Sequence, residues 1–319
     1  MKLEDIGFYT LSDERAENSG INSPLWRCEL LLTNRCNFNC KYCRGTQEDA
    51  NITYEHAKYI VDLWCNEGLK NIRFSGGEPT LVKWLPELIK YTKNKPSIER
   101  IAISTNGSQK TSYYIKLKKL GVNDFSISLD ACCESFADKM SGTSGYFQQI
   151  INNIQILSRL TYVTVGCVFD KNNIQQSLET IELAHKLGVA DIRIISSAQS
   201  NEMLEFCEKI PDEILNSHPI LKYRVNNYKN GRNVRGIQKT DNHKCPLILD
   251  DMAIRGNYHY PCIIKMREGC EPIGEVGCFM RAQRFDYYIK HNCYKDEICR
   301  NNCLDVCIDY NNRHKNFKE

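Results

Sequence analysis

Between residues 26 and 196 the chain alternates short apolar runs with stretches whose apolar residues recur at helical spacing. The runs are WRCELLLTN (26–34), NIRFS (71–75), ERIAIST (99–105), VNDFSISLD (122–130), YVTVGCVF (162–169) and DIRIIS (191–196). They are short and rich in β-branched and aromatic residues, which predicts strands. Between them, Phe147, Ile150, Ile151, Ile154 and Leu157, or Ile174, Leu178 and Ile181, each mark one face of a helix. Strand-then-helix units in unbroken succession predict an α/β fold in which a parallel sheet with right-handed crossovers closes, or partly closes, into a barrel.

In a partial (β/α)6 barrel of TIM type, chemistry gathers at the C-terminal strand ends. There the pattern breaks into unusual segments: CNFNCKYC (36–43) after the first strand, SGGEPT (75–80) after the second, STNGS (104–108) after the third and LDACCES (129–135) after the fourth. All four fall on one face. Past residue 200 the alternation stops, and a polar stretch, YRVNNYKNGRNVRG (223–236), leads to a second group of cysteines. The expected organisation is an N-terminal extension (1–25), the barrel (26–200), a linker (201–244) and a small cysteine-rich domain (245–319).

Composition narrows the chemistry. Lys and Arg total 42 against 39 for Asp and Glu, a net charge of +3, too slight to call for a nucleic-acid or membrane partner. No run of about eighteen apolar residues occurs, and the start, MKLEDIGFYTLSDERAENSG, lacks the basic and apolar regions of a secretory leader, so a soluble cytoplasmic protein is expected. In that compartment seventeen cysteines point to metal binding or redox chemistry instead of disulfides.

Cys36, Cys40 and Cys43 are soft ligands for zinc or an iron–sulfur cluster, and their own loop supplies no fourth cysteine or histidine to close the site. Cys40 and Cys43 alone could be half of a zinc knuckle. An open iron, by contrast, could bind a substrate or cofactor through nitrogen and oxygen. The GGEP segment adds exposed backbone at two glycines and a carboxylate, Glu78, able to accept from an ammonium group.

CNFNCKYC, FSGGEPTL, ISTNG and SISLDA, in this order, resemble the radical S-adenosylmethionine superfamily over residues 26–200. The resemblance implies that Cys36, Cys40 and Cys43 hold a [4Fe–4S] cluster whose fourth iron chelates the amino and carboxylate groups of S-adenosylmethionine. It places Tyr42 by the adenine and Gly76, Gly77 and Glu78 at the methionine ammonium. Ser104, Asn106 and Asp130 are candidates for the ribose and carboxylate side, although TNG is also ordinary turn chemistry and Asp130 could cap a helix. The implied reaction is reductive cleavage of S-adenosylmethionine to a 5′-deoxyadenosyl radical, with a one-electron reductant such as flavodoxin or ferredoxin.

Cys245, Cys262, Cys270, Cys278, Cys293, Cys299, Cys303 and Cys307 form the second group. Cys245 and Cys262 flank an expected hairpin turning at Gly256-Asn257, and Cys299, Cys303 and Cys307 would share a face if their segment were helical. The region resembles the SPASM/Twitch auxiliary-cluster extension of radical enzymes, which implies one or two auxiliary iron–sulfur clusters. It departs from that pattern: the C-x2-C opening is absent, and the last cysteine follows at x3 without a long gap. A structural zinc site is the alternative.

Cys132 and Cys133 follow Asp130 directly, and either thiol could return a hydrogen atom to a substrate radical, giving epimerisation; both could equally be packing residues, as Cys28, Cys65, Cys167 and Cys207 are expected to be. The expected function is a radical enzyme that oxidises, cross-links or epimerises a peptide or small biosynthetic intermediate. The alternatives are dehydrogenation or epimerisation of a sugar, aminocyclitol or nucleotide, and a non-catalytic zinc-knuckle binding protein.

Overall fold

The computed structural model describes residues 14–17, 19–45, 51–196, 201–232 and 234–314, so most of the expected N-terminal extension lies outside the described residues. Six β/α units run in order: β1 (Arg27–Thr33), α1 (Tyr54–Asn66), β2 (Asn71–Gly76), α2 (Leu85–Lys93), β3 (Arg100–Thr105), α3 (Thr111–Leu120), β4 (Asp124–Ser128), α4 (Glu134–Ser141), α5 (Phe147–Ser158), β5 (Tyr162–Phe169), α6 (Ser177–Lys186) and β6 (Asp191–Ser196). Neighbouring strands pair in parallel in sequential order, the mixed α/β arrangement expected of a partial barrel.

Alternation along the strands explains the two faces of the sheet. Cys28, Leu30, Ile72, Phe74, Ile103, Phe125, Ile127, Val163, Val165, Ile192 and Ile194 point one way and form the main core with the helices. The register places Glu29, Arg73, Ser75, Ser104, Asp124, Ser126, Thr164 and Arg193 on the other face, which is therefore polar. Cys28, Cys167 and Cys207 are buried in the main core and Cys65 packs against it, as their expected packing role requires.

Downstream come α7 (Asp212–Ser217), α8 (Pro219–Lys229), α9 (Leu247–Asp250), β7 (Asp251–Arg255), β8 (Tyr258–Tyr260), α10 (Ile263–Arg267), β9 (Gly274–Glu275), α11 (Met280–Lys290), α12 (Glu297–Asn302) and α13 (Asp305–Arg313). The stretch read as a linker thus carries helices, and α8 is anchored by buried Arg224, 2.8 Å from Asp305. β7 continues the sheet in parallel beyond β1, and β8 returns through the Gly256-Asn257 turn, where Gly256 adopts φ +60°. The cysteine-rich region is therefore built onto the barrel's first strand. Its keystone is Arg284, fully buried, which donates to the carbonyls of Ile248, Tyr260, Asp251 and Pro261. Four carbonyls around one guanidinium satisfy a charge that burial would otherwise make untenable.

Among the described residues, no helix is long and apolar enough to cross a membrane.

Candidate active site and cysteine clusters

The loop after β1 is held almost everywhere except at its thiols. Asn37 donates to Ser108 at 2.9 Å and accepts from Asn106 at 2.9 Å. Phe38 packs its ring 5.2 Å from that of Tyr146, and the Asn39 amide donates to the Ser141 carbonyl at 2.8 Å, closing the loop against the end of α4. The Tyr42 hydroxyl donates to Asp130. A Cβ on Gly142, which already sits at φ +64°, would come within 2.6 Å of the Asn39 carbonyl oxygen, so that close approach requires glycine.

Cys36 and Cys43 are exposed and Cys40 is half-buried. Backbone amides already point at two of the sulfurs, Phe38 to Cys36 at 3.4 Å and Gly45 to Cys43 at 3.3 Å. Burial pushes the free Cys40 thiol up to about 12, with the Asp130, Cys43 and Cys36 charges adding to it. Burial likewise raises Cys36, with Cys43 among the contributors. Three soft donors on one loop, two of them already meeting backbone N–H groups, fit an iron–sulfur cluster, whose sulfurs are tuned by such hydrogen bonds.

The glycines of SGGEPT hold the end of β2 against this loop. A Cβ on Gly77 would lie 2.3 Å from the Arg35 carbonyl oxygen, and one on Gly76 2.2 Å from that of Thr33. Their neighbours' amides complete the seam, Gly77 donating to Thr33 at 2.7 Å and Glu78 to Arg35 at 2.8 Å. Glu78 is turned inward. Its side chain, expected to receive an ammonium group, is fully buried and accepts from Thr80 N at 3.0 Å, Thr80 Oγ1 at 2.6 Å, Thr105 Oγ1 at 2.8 Å and Asn106 N at 2.7 Å. Burial raises its pKa while these donors pull it down. Four donors on two oxygens leave the carboxylate an organiser joining the ends of β2 and β3.

Asn106 extends that organisation to the cysteines, because its side chain bonds Asn37 and lies 3.9 Å from Cys36 Sγ. Ser104 sits on the polar face opposite Ser126 of β4. Asp130 accepts from Tyr42 and, at 2.7 Å, from the Val168 amide; burial raises its carboxyl to about 6 against those two hydrogen bonds. Two further buried asparagines brace the mouth: Asn173 donates to the carbonyls of Asp130 and Val168 at 2.7 and 2.8 Å, and Asn153 to those of Gly107 and Gln109 at 2.8 and 2.7 Å. Sequence reasoning missed Asn37, Asn39, Thr80, Thr105, Ser108, Asn153 and Asn173. The one available signal was the pair of asparagines inside CNFNC.

Cys132 and Cys133 do not join this group. Cys133 precedes α4, with Ser135 Oγ 3.5 Å away and Gln176 donating at 3.8 Å, while Cys132 feels Cys133 and Glu179 of α6. The hydrogen bond from Ser135, with those of Phe136 N and Gln176, lowers the Cys133 thiol. Their contacts therefore run to the α6 side of the barrel wall, not to Cys36, Cys40 or Cys43.

The downstream cysteines converge more closely. Cys245 contacts Cys293, Cys293 contacts Cys299, and Cys303 contacts Cys307 through their thiols; Cys262 feels the charges of Cys299, Cys245 and Cys307. Cys270 lies at the margin beside Lys265 and Asp296, and Cys278 is exposed and enters none of these contacts. Cys299, Cys303 and Cys307 are not on one helix. The chain breaks between α12 and α13, where Arg235 bridges to Leu304 and Gly236 N donates to the Cys303 carbonyl at 2.8 Å. This crossing pulls Cys303 out of helical geometry (φ −59°, ψ 136°) yet leaves the thiols together.

Residues 30–184 match the Radical SAM superfamily. The chain is 29% identical over 163 residues to the AdoMet-dependent heme synthase of Methanosarcina barkeri, covering 49% of this chain and 46% of that one. It is 29% identical over 177 residues to a probable GTP 3',8-cyclase of Saccharolobus solfataricus, covering 54% and 57%. The chain thus spans about half the length of these curated relatives. Native anSMEcpe with bound AdoMet and Cp18Cys peptide superposes with a TM-score of 0.59 at 15% identity, over 87% of this chain and 89% of that chain, which shows a shared fold.

Proposed function

We propose that the chain is a Radical SAM superfamily enzyme that cleaves S-adenosylmethionine reductively and uses the product to oxidise, cross-link or epimerise a polar substrate, a peptide or a small biosynthetic intermediate. The superfamily implies a [4Fe–4S] cluster and S-adenosylmethionine. When bound, they supply a 5′-deoxyadenosyl radical able to abstract hydrogen from an unactivated carbon.

This chain's residues provide the setting. Cys36, Cys40 and Cys43 would hold the cluster as thiolates. Asn37, Phe38, Asn39 and Tyr42 brace the loop that carries these three sulfurs. Gly76 and Gly77 let backbone approach where a side chain would block, while Glu78 acts at one remove by holding Asn106 and Thr105 in place. Ser104 and Asp130 are assigned to the ribose and carboxylate side of S-adenosylmethionine. The polar sheet face, with Arg73, Arg193, Ser126 and Thr164, favours a substrate rich in hydrogen-bonding groups. A peptide is favoured by the structural neighbour described as having bound AdoMet and peptide. A nucleotide is the second reading, supported by the relative named as a GTP cyclase.

The converged thiols of Cys245, Cys262, Cys293, Cys299, Cys303 and Cys307 are assigned to an auxiliary iron–sulfur centre. Such a centre would accept an electron from a substrate radical, which favours net oxidation. A one-electron reductant such as flavodoxin or ferredoxin supplies the first electron.

The observation that carries the reading is the group of three accessible thiols on a pre-braced loop at the strand ends. Anaerobic reconstitution followed by iron and sulfide analysis should give about eight irons per chain, four for each of two cubes. Reduction with S-adenosylmethionine should then release 5′-deoxyadenosine. A zinc-loaded, iron-free protein that releases none would remove the proposal.

A further inference from the structure

The downstream cysteine region lacks the C-x2-C opening of the extension it resembles, so one expected sulfur donor is missing. A histidine stands in that stretch instead. His291 lies two residues before Cys293, at the end of α11, and its Nε2 is 3.7 Å from Cys299 Sγ. The donor atoms of His291, Cys293 and Cys299 all lie within 4.8 Å of one another. No other group of three histidine, cysteine or carboxylate donors among the described residues comes together so tightly.

The imidazole is positioned, not incidental. Its ring stacks on Tyr287 with centroids 4.7 Å apart and planes 24° from parallel, and its backbone amide is fixed to the Tyr287 carbonyl at 2.8 Å. The carboxylate of Asp296 is 3.9 Å from Nε2 and engages Lys265 at 2.5 Å. Nε2 is therefore left facing sulfur. Both thiols are held from the backbone, Cys293 N donating to the His243 carbonyl at 2.7 Å and Cys299 N to Asp296 Oδ1 at 2.8 Å. The Cys245 side chain also meets that of Cys293 and can supply a fourth donor.

We propose that His291, Cys293 and Cys299 together ligate the downstream metal centre, which is held by mixed imidazole and thiolate donors instead of thiolates alone. This rests on the reading of that region as a metal centre. Imidazole and thiolate together suit zinc and iron–sulfur sites alike. In an iron–sulfur centre a neutral imidazole in place of a thiolate makes the site less negative and raises its reduction potential. That would make it a better acceptor for an electron leaving a substrate radical.

The test uses the full chain carrying Cys36→Ala, Cys40→Ala and Cys43→Ala, so that only downstream metal remains. X-ray absorption at the iron and zinc edges should show a nitrogen donor at about 2.0 Å among the sulfurs, and the edge at which it appears identifies the metal. His291→Ala should remove that nitrogen. His291→Cys should replace it with sulfur while retaining the metal, and with iron should lower the reduction potential, which guards against a variant that merely misfolds. An all-sulfur shell in the parent overturns the histidine assignment and leaves the auxiliary centre standing. A parent that binds neither iron nor zinc overturns both.

Discussion

The two cysteine regions use the same side chain for opposite ends. The thiols of Cys36 and Cys43 are exposed, and the loop bearing them is anchored by its asparagines and aromatics. In the downstream group Cys293 is buried between Cys245 and Cys299, and the backbone around it is held by Arg284, Asp305 and Asn311. The difference teaches what each can host. An exposed, braced triad can admit a cofactor that binds and leaves at every turnover, whereas a closed group can only keep what it holds.

The sharpest way to break this contrast is at the triad. Replacing any of Cys36, Cys40 or Cys43 by alanine should abolish 5′-deoxyadenosine release and remove about four irons, while the downstream metal remains. Equal loss from both regions would mean that they are one site. Next in size, Arg284→Met strips the partner from four buried carbonyls and should cost about 3 kcal/mol by denaturant unfolding. It should release downstream metal first, with the triad's iron retained.

A smaller effect belongs to Asp130. Its folded carboxyl is raised to about 6, above the unfolded value of about 3.9, so the native state binds this proton more tightly. Its contribution to stability is thus greatest in acid, and falls as pH rises from about 4 to about 6, with no further change above. Asp130→Asn should flatten that part of the curve; Asp191, also raised to about 6, keeps the rest. An unchanged slope would place Asp130 in ordinary solvent. The smallest effect is expected at Cys132 and Cys133, whose contacts run to Ser135, Gln176 and Glu179. Alanine at either should leave product and stoichiometry unchanged, and loss of an epimerised product would assign them as hydrogen-atom donors.

How far the site could be read in advance depended on the kind of residue. Cysteine spacing and paired glycines are rare enough to stand out, and each strand run fell within two residues of its observed ends. Glu78 was noticed but its surroundings were not, because only the packed structure shows that Thr80, Thr105 and Asn106 donate to it. Asn153 and Asn173 were invisible: an asparagine on a helix or in a turn looks like any solvated polar residue until its amide is seen between two loop carbonyls.

The order of strands and the identity of the open triad were determined by the sequence itself, since periodicity and spacing are local properties that survive without a partner. The docking of β7 beside β1, the break of the last cysteines into two helices and the approach of His291 to Cys299 were decided by tertiary structure. Each of these joins segments that no local pattern relates. Burial supplies the reason they join, because Arg284, Arg224 and Asp305 find their partners only where distant chain segments meet.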